Sequence, residues 1–201
     1  MQLPLQASLN STTALKCLHL RMLLLLILSA TTSFSGQIVK YLPGYDGELP
    51  FKLETGYISV NESELFYYFI ESQGNPEEDP LFLWMTGGPG CSSFNGLIYE
   101  IGKDDIFTGP LEFDIDNYTG TASFIFLDSP VGTGFSYSTN SDAWASSDTA
   151  AAKEAYEFLR KWLTDNPKYL ALELFIGGDS YSGIIVPLIT KLVVEGKFHM
   201  F

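Results

Sequence analysis

Three short apolar runs, each cut off by a turn rich in glycine or proline, constrain this chain more than any other feature. They are LFLWM at 81–85, SFIFL at 123–127 and LELFI at 172–176. The stops are Thr86-Gly87-Gly88-Pro89-Gly90, Asp128-Ser129-Pro130 and Gly177-Gly178. Continuous runs of this length suit central strands covered on both faces. Between the last two lies a helical pattern over about 147–163, with Ala152, Ala155, Tyr156, Leu159 and Leu163 on one face. Asp148 supplies an acid near its start, Arg160 and Lys161 lie near its end, and Asn166-Pro167 stops it. A second helix is expected from about Tyr181 to Gly196, with a kink or a late start at Pro187. Upstream, 57–60 and 65–71 read as a hairpin joined by Asn61-Glu62-Ser63-Glu64, antiparallel to a mostly parallel sheet. Segments 42–50 and 73–80 read as loops. The grammar is that of an α/β protein.

The first 36 residues stand apart. Lys16 and Arg21 precede an apolar run from Met22 to Ala30, and Ser33 and Ser35 follow at cleavage-site spacing. This order is that of a secretory signal peptide, starting at Met1 or at Met22; a buried core helix is the other reading. Losing Lys16 and Arg21 with the leader leaves nine cations against 24 acids, a net charge of −15 in place of −13. Such an acidic surface repels phosphate backbones and argues against nucleic acid as a partner. No run of eighteen apolar residues is present, so no membrane span is expected. The leader carries off Cys17, and Cys91 then stands as a buried free thiol or as half of a disulfide whose partner is absent. Asn61-Glu62-Ser63 and Asn117-Tyr118-Thr119 are sequons in turn-like contexts, which fits N-glycosylation in the secretory pathway.

The chemistry is expected at Gly178-Asp179-Ser180-Tyr181-Ser182-Gly183, between an apolar strand and a helix. A serine there sits on a tight turn whose neighbours must be small, with the helix N-terminus favouring developing negative charge. The plain hydrolase pattern has glycine two residues after the serine, where this chain has Ser182. The glycine-rich segment 86–93 can aim N–H groups at an oxyanion, or be an ordinary turn. It lacks the lysine and serine of a phosphate loop, and no metal or cofactor site is apparent. The segment from Leu127 to Ser138 is the third feature.

Together GGPGCSS, PVGTGFSYS and GDSYSG resemble the serine carboxypeptidases and their plant serine carboxypeptidase-like acyltransferase relatives, from about Val39 to Phe201. The resemblance implies an α/β-hydrolase fold and a Ser–Asp–His triad. Ser180 matches the nucleophile, and Gly88 and Tyr181 match the two backbone donors of the oxyanion hole. Thr86, Gly87, Asp179 and Glu100 match the positions that, in the peptidases, hold a terminal carboxylate. There the first is an amide and the third a glutamate, so Thr86 and Asp179 are departures. They favour the branch that passes an acyl group from a glucose ester to an alcohol or acid. The partner of Cys91 lies later in the family's chain.

Family order is serine, then aspartate, then histidine. After Ser180 the chain has 21 residues and one histidine, His199, which a helix rising ~1.5 Å per residue carries far from the serine. Asp128, Asp142 and Asp148 precede Ser180 and do not match the triad acid. The reading is therefore a leader at 1–36 and an incomplete α/β-hydrolase domain at 37–201, the N-terminal part only. It is expected to be inactive and poorly soluble alone. The substrate expected is a small acyl ester or a peptide, and the location is extracellular or vacuolar. A secreted non-catalytic binding protein on a degenerate hydrolase scaffold is the alternative.

Overall fold

The computed structural model describes residues 36–43, 46–100, 120–144 and 147–197, and residues 1–35 of the expected leader, Asn117 and His199 lie outside them. Among the described residues seven strands form one sheet: β1 (Gln37–Val39), β2 (Leu53–Val60), β3 (Ser63–Ile70), β4 (Leu81–Met85), β5 (Ser123–Leu127), β6 (Tyr137–Ser138) and β7 (Leu174–Gly178). The order is β1-β2-β3-β5-β4-β7, with β6 paired to β3. β1, β2 and β3 are antiparallel neighbours, and β3 meets β5 antiparallel. β5, β4 and β7 run parallel.

The pleat sorts the core. Leu65, Tyr67, Phe69, Leu81, Leu83, Ile125 and Leu127 join one cluster, while Tyr68, Ile70, Phe124 and Phe126 join a second. Alternate residues of each strand thus face opposite sides, as a period of two requires. The first cluster is covered by α1 (Asp148–Asp165) and α2 (Ser182–Leu192). Phe158, Leu159, Trp162 and Ile189 are fully buried there. Each such side chain contributes on the order of 1.5–3 kcal/mol by leaving water.

α1 begins where Ser147 accepts the Ala150 N–H at 3.3 Å. It ends where the Asn166 side chain donates to the Trp162 carbonyl at 2.9 Å, one residue before Pro167. Its buried face contains all five residues expected from the spacing.

Several expectations are corrected. The hairpin strands are longer, starting at Leu53 and joined by Asn61 and Glu62 alone, because Ser63 already pairs with Val60. Gly56 does not interrupt β2, since the Tyr67 ring packs against the space a side chain would fill. β7 lies two residues beyond 172–176, after a 3-10 turn at Pro167–Ala171. Gly177 extends the strand because it lies against the Phe82 ring, so the turn comes after Gly178. Among the described residues β7 pairs only with β4, and Phe175 is 47% exposed, where the run at 172–176 suits a strand covered on both faces. α2 starts at Ser182 and continues through Pro187, without a late start. The carbonyl deprived of a donor there, that of Gly183, belongs to an exposed residue in the first turn. The α-helix stops at Leu192 and a wider turn, Val193–Lys197, follows. Among the described residues, no helix is long and apolar enough to cross a membrane.

Candidate active site

The loops after β4, β5 and β7 leave the C-terminal ends of three parallel strands, where open α/β sheets gather their sites. The chain reverses over Asp179, Ser180 and Tyr181. Ser180 has φ 49° and is exposed. A non-glycine residue at such a φ is held by its surroundings. The Ser182 N–H and hydroxyl both donate to the Asp179 carbonyl, at 3.0 and 2.5 Å. The Gly183 N–H donates to the Ser180 carbonyl at 3.1 Å. Ser182 is buried, so the departure from the plain hydrolase pattern has a structural use: its hydroxyl closes the turn. A side chain on Gly178 would strike the Met85 carbonyl and the Ser182 hydroxyl.

The glycine-rich loop presses on this turn. A Cβ on Gly87 would lie 2.8 Å from the Tyr181 nitrogen and 2.9 Å from the Ser180 Cβ. Its N–H donates to Asp179 Oδ1 at 2.9 Å. Gly88 has φ 116°, and a side chain there would meet Cys91. No acceptor among the described residues takes the N–H of Gly88 or of Tyr181.

Asp128 binds the other two loops together. It is fully buried and accepts from the Ser92 hydroxyl and the Ser93 N–H, each at 2.8 Å, and from the Phe135 N–H at 3.0 Å. Burial pushes its carboxyl above the usual range, and those hydrogen bonds offset part of the rise. The Tyr181 phenol donates to Asp148 Oδ1 at 3.1 Å, and that carboxylate raises the phenol's pKa. A cavity of about 470 Å³ lies beside the turn, lined by Thr86, Gly87, Val131, Trp144, Asp148 and Tyr181 among others.

Ser180, Tyr181, Gly87 and Asp179 are thus together, with Gly88 next in the loop. Among the described residues, Thr86 Oγ1 is buried without a partner, close to Gly96. Glu100 closes the turn Gly96–Glu100, and its side chain is not among those described. Among the described residues Cys91 has no disulfide partner, and it is exposed, against the buried-thiol reading. Asn61 is exposed at the β2–β3 turn. Among the described residues no cluster of three metal-ligating side chains occurs. Sequence reasoning missed the ties made by Asp128, Asp148 and Ser182. An acid directly after an apolar strand was the available signal for the first.

The serine carboxypeptidase family profile matches residues 43–200. Serine carboxypeptidase-like 16 of Arabidopsis thaliana is 50% identical over 199 residues, covering 90% of this chain and 43% of the relative. Serine carboxypeptidase-like 15 of the same plant is 48% identical over 181 residues, covering 82% and 40%. The chain therefore spans less than half the length of these curated relatives. A solved structure of Kex1(Δ)p, a prohormone-processing carboxypeptidase of Saccharomyces cerevisiae, superposes with a TM-score of 0.60 at 23% identity. It covers 75% of this chain and 36% of its own. That likeness gives the fold, the N-terminal part of an α/β hydrolase. With a family profile matched over most of its residues, the chain belongs to the serine carboxypeptidase family.

Proposed function

We propose that Ser180 is the nucleophile of a serine carboxypeptidase-like enzyme that passes acyl groups from glucose esters to an alcohol or acid. The observation that carries this is the φ of 49° at an exposed serine, pressed by Gly87 and flanked by two uncommitted N–H groups. Ser180 Oγ bonds to the ester carbonyl carbon while its proton passes to a base. The N–H groups of Gly88 and Tyr181 receive the oxyanion, a contribution of ~3–4 kcal/mol for each donor. Collapse breaks the bond to the sugar oxygen, which takes a proton, and the acceptor hydroxyl then releases the acyl group by the reverse sequence.

Transfer is preferred to peptide cleavage for two reasons. Thr86 has no N–H in its side chain to offer a terminal carboxylate. The Gly87 N–H, a donor used for that purpose in the peptidases, is taken by Asp179. The base and the acid of the triad follow the serine in the family, and no histidine lies among the described residues. These 201 residues alone are expected to turn nothing over. The leader reading and the sequons put the enzyme in the secretory pathway, extracellular or vacuolar.

The test joins residues 1–201 to the downstream part of Serine carboxypeptidase-like 16. The expected chimera transfers an acyl group from a glucose ester faster than it releases a C-terminal amino acid. Ser180→Ala is expected to lower turnover on the order of 10⁶-fold. Peptide release outpacing transfer, or turnover by the 201 residues alone that Ser180→Ala abolishes, would contradict the reading.

A further inference from the structure

The sequon Asn61-Glu62-Ser63 occupies the β2–β3 turn in a way that separates its two recognition groups. Asn61 is exposed with φ 54°, a conformation asparagine tolerates better than most residues. No hydrogen bond of its side chain occurs among the described residues. Ser63, two residues on, is 1% exposed, and its hydroxyl donates to Glu154 Oε1 on α1 at 3.1 Å. The middle residue is also held. Ser138 Oγ donates to the Glu62 carbonyl at 2.6 Å, and Asn140 Nδ2 donates to the Glu62 carboxylate. A glycosylating enzyme reads both the asparagine and the hydroxyl of a sequon. In the folded chain only the first is available.

We propose that Asn61 is an N-glycan acceptor that can be read only before β2, β3 and α1 have come together. The inference rests on the reading of residues 1–36 as a secretory leader. In the transfer, Asn61 Nδ2 bonds to C1 of an oligosaccharide carried on a lipid diphosphate. The C1–O bond to the diphosphate breaks, the lipid diphosphate leaves with the electron pair, and one amide proton goes to the transferase's base. The group that later covers Ser63 arrives 91 residues downstream. At ~5–20 residues per second, synthesis leaves the sequon open for roughly 5–20 s. The sugar then projects from an exposed turn, and the ladder closes beneath it without displacing any contact of the Asn61 side chain.

The experiment translates the full chain into microsomes, once with its own leader and once with a leader of established cleavage. Failure of the leader reading then appears only in the first, whereas failure of this proposal appears in both. The Asn61-bearing peptide is examined by mass spectrometry, so Asn117 does not interfere. Expected is a glycan at Asn61, absent in Asn61→Gln and in Ser63→Ala. Folded chain, made without microsomes and joined to the downstream part of Serine carboxypeptidase-like 16, is then offered to a solubilised oligosaccharyltransferase with a lipid-linked oligosaccharide. It should accept at Asn61 roughly tenfold or more slowly than a peptide of residues 57–66, because acceptance requires local opening. Equal rates for folded chain and peptide, or an unmodified Asn61 in chain whose established leader has been cleaved, would overturn the proposal.

Discussion

β5 and β7 are both five-residue apolar strands that end in a turn bearing site residues, yet they live in different surroundings. All five residues of β5 are buried, whereas β7 alternates between half-buried and exposed. β5 lies between β3 and β4, and β7 among the described residues pairs only with β4. Among the described residues, similar apolar runs thus lie at different depths according to the strands beside them. The difference matters for the site. β5 delivers a buried carboxylate, Asp128, that fixes loops. β7 delivers an exposed serine on a constrained turn.

The sharpest way to break that comparison is to truncate an aromatic side chain on each strand. Phe126→Ala should cost about 3–5 kcal/mol, the usual range for a buried phenylalanine. Phe175→Ala, at 47% exposure, should cost less than about half of that. Urea midpoints at unchanged slope would measure both, and equal losses would place β7 as deep as β5. A smaller effect separates the two sides of the turn. Gly178→Ala should destabilise by about 1–3 kcal/mol, since its side chain would meet the Met85 backbone. Gly183→Ala has nothing within 4 Å and should be neutral or stabilising by up to ~1 kcal/mol. The same denaturation curves decide, and a costly Gly183→Ala would show that helix start to be packed.

The smallest effect concerns pH. Burial raises the Glu154 carboxyl, and the Ser63 hydrogen bond offsets part of that. The folded form then holds its proton where the unfolded form has lost it. This stability is present below the unfolded pKa and is lost as pH rises through the folded one. Glu154→Gln should flatten the fall in stability on the mildly acidic side by less than ~1 kcal/mol, given solvent screening. Asp128, also raised, leaves a residual slope of the same sign. An unchanged pH profile in Glu154→Gln would remove Glu154 from this account.

Much of the fold was legible because the apolar runs are continuous and the α1 stripe is regular. The five α1 residues read from spacing are all buried, and β4 and β5 have the expected bounds. β7 was displaced because Gly177 and Gly178 look like a stop, and only the Phe82 ring and the Met85 carbonyl explain why they continue the strand. β1 and β6, of three and two residues, carry too little pattern to be read. At the candidate site, the tight turn at Ser180 was legible from its glycine neighbours. The Asp179 hydrogen bond to Gly87 was not, because it joins residues 92 positions apart.

Ser180 stands on a turn at φ 49°, and the proposed role requires the Gly88 and Tyr181 amides to converge beside it. An experimental crystal structure with an aryl boronate bound tests it most directly. The expected result is a tetrahedral boron on Ser180 Oγ, with one boronate oxygen ~2.7–3.1 Å from the Gly88 and Tyr181 nitrogens. A Ser180 with negative φ, or a boronate oxygen beyond reach of either amide, would contradict it.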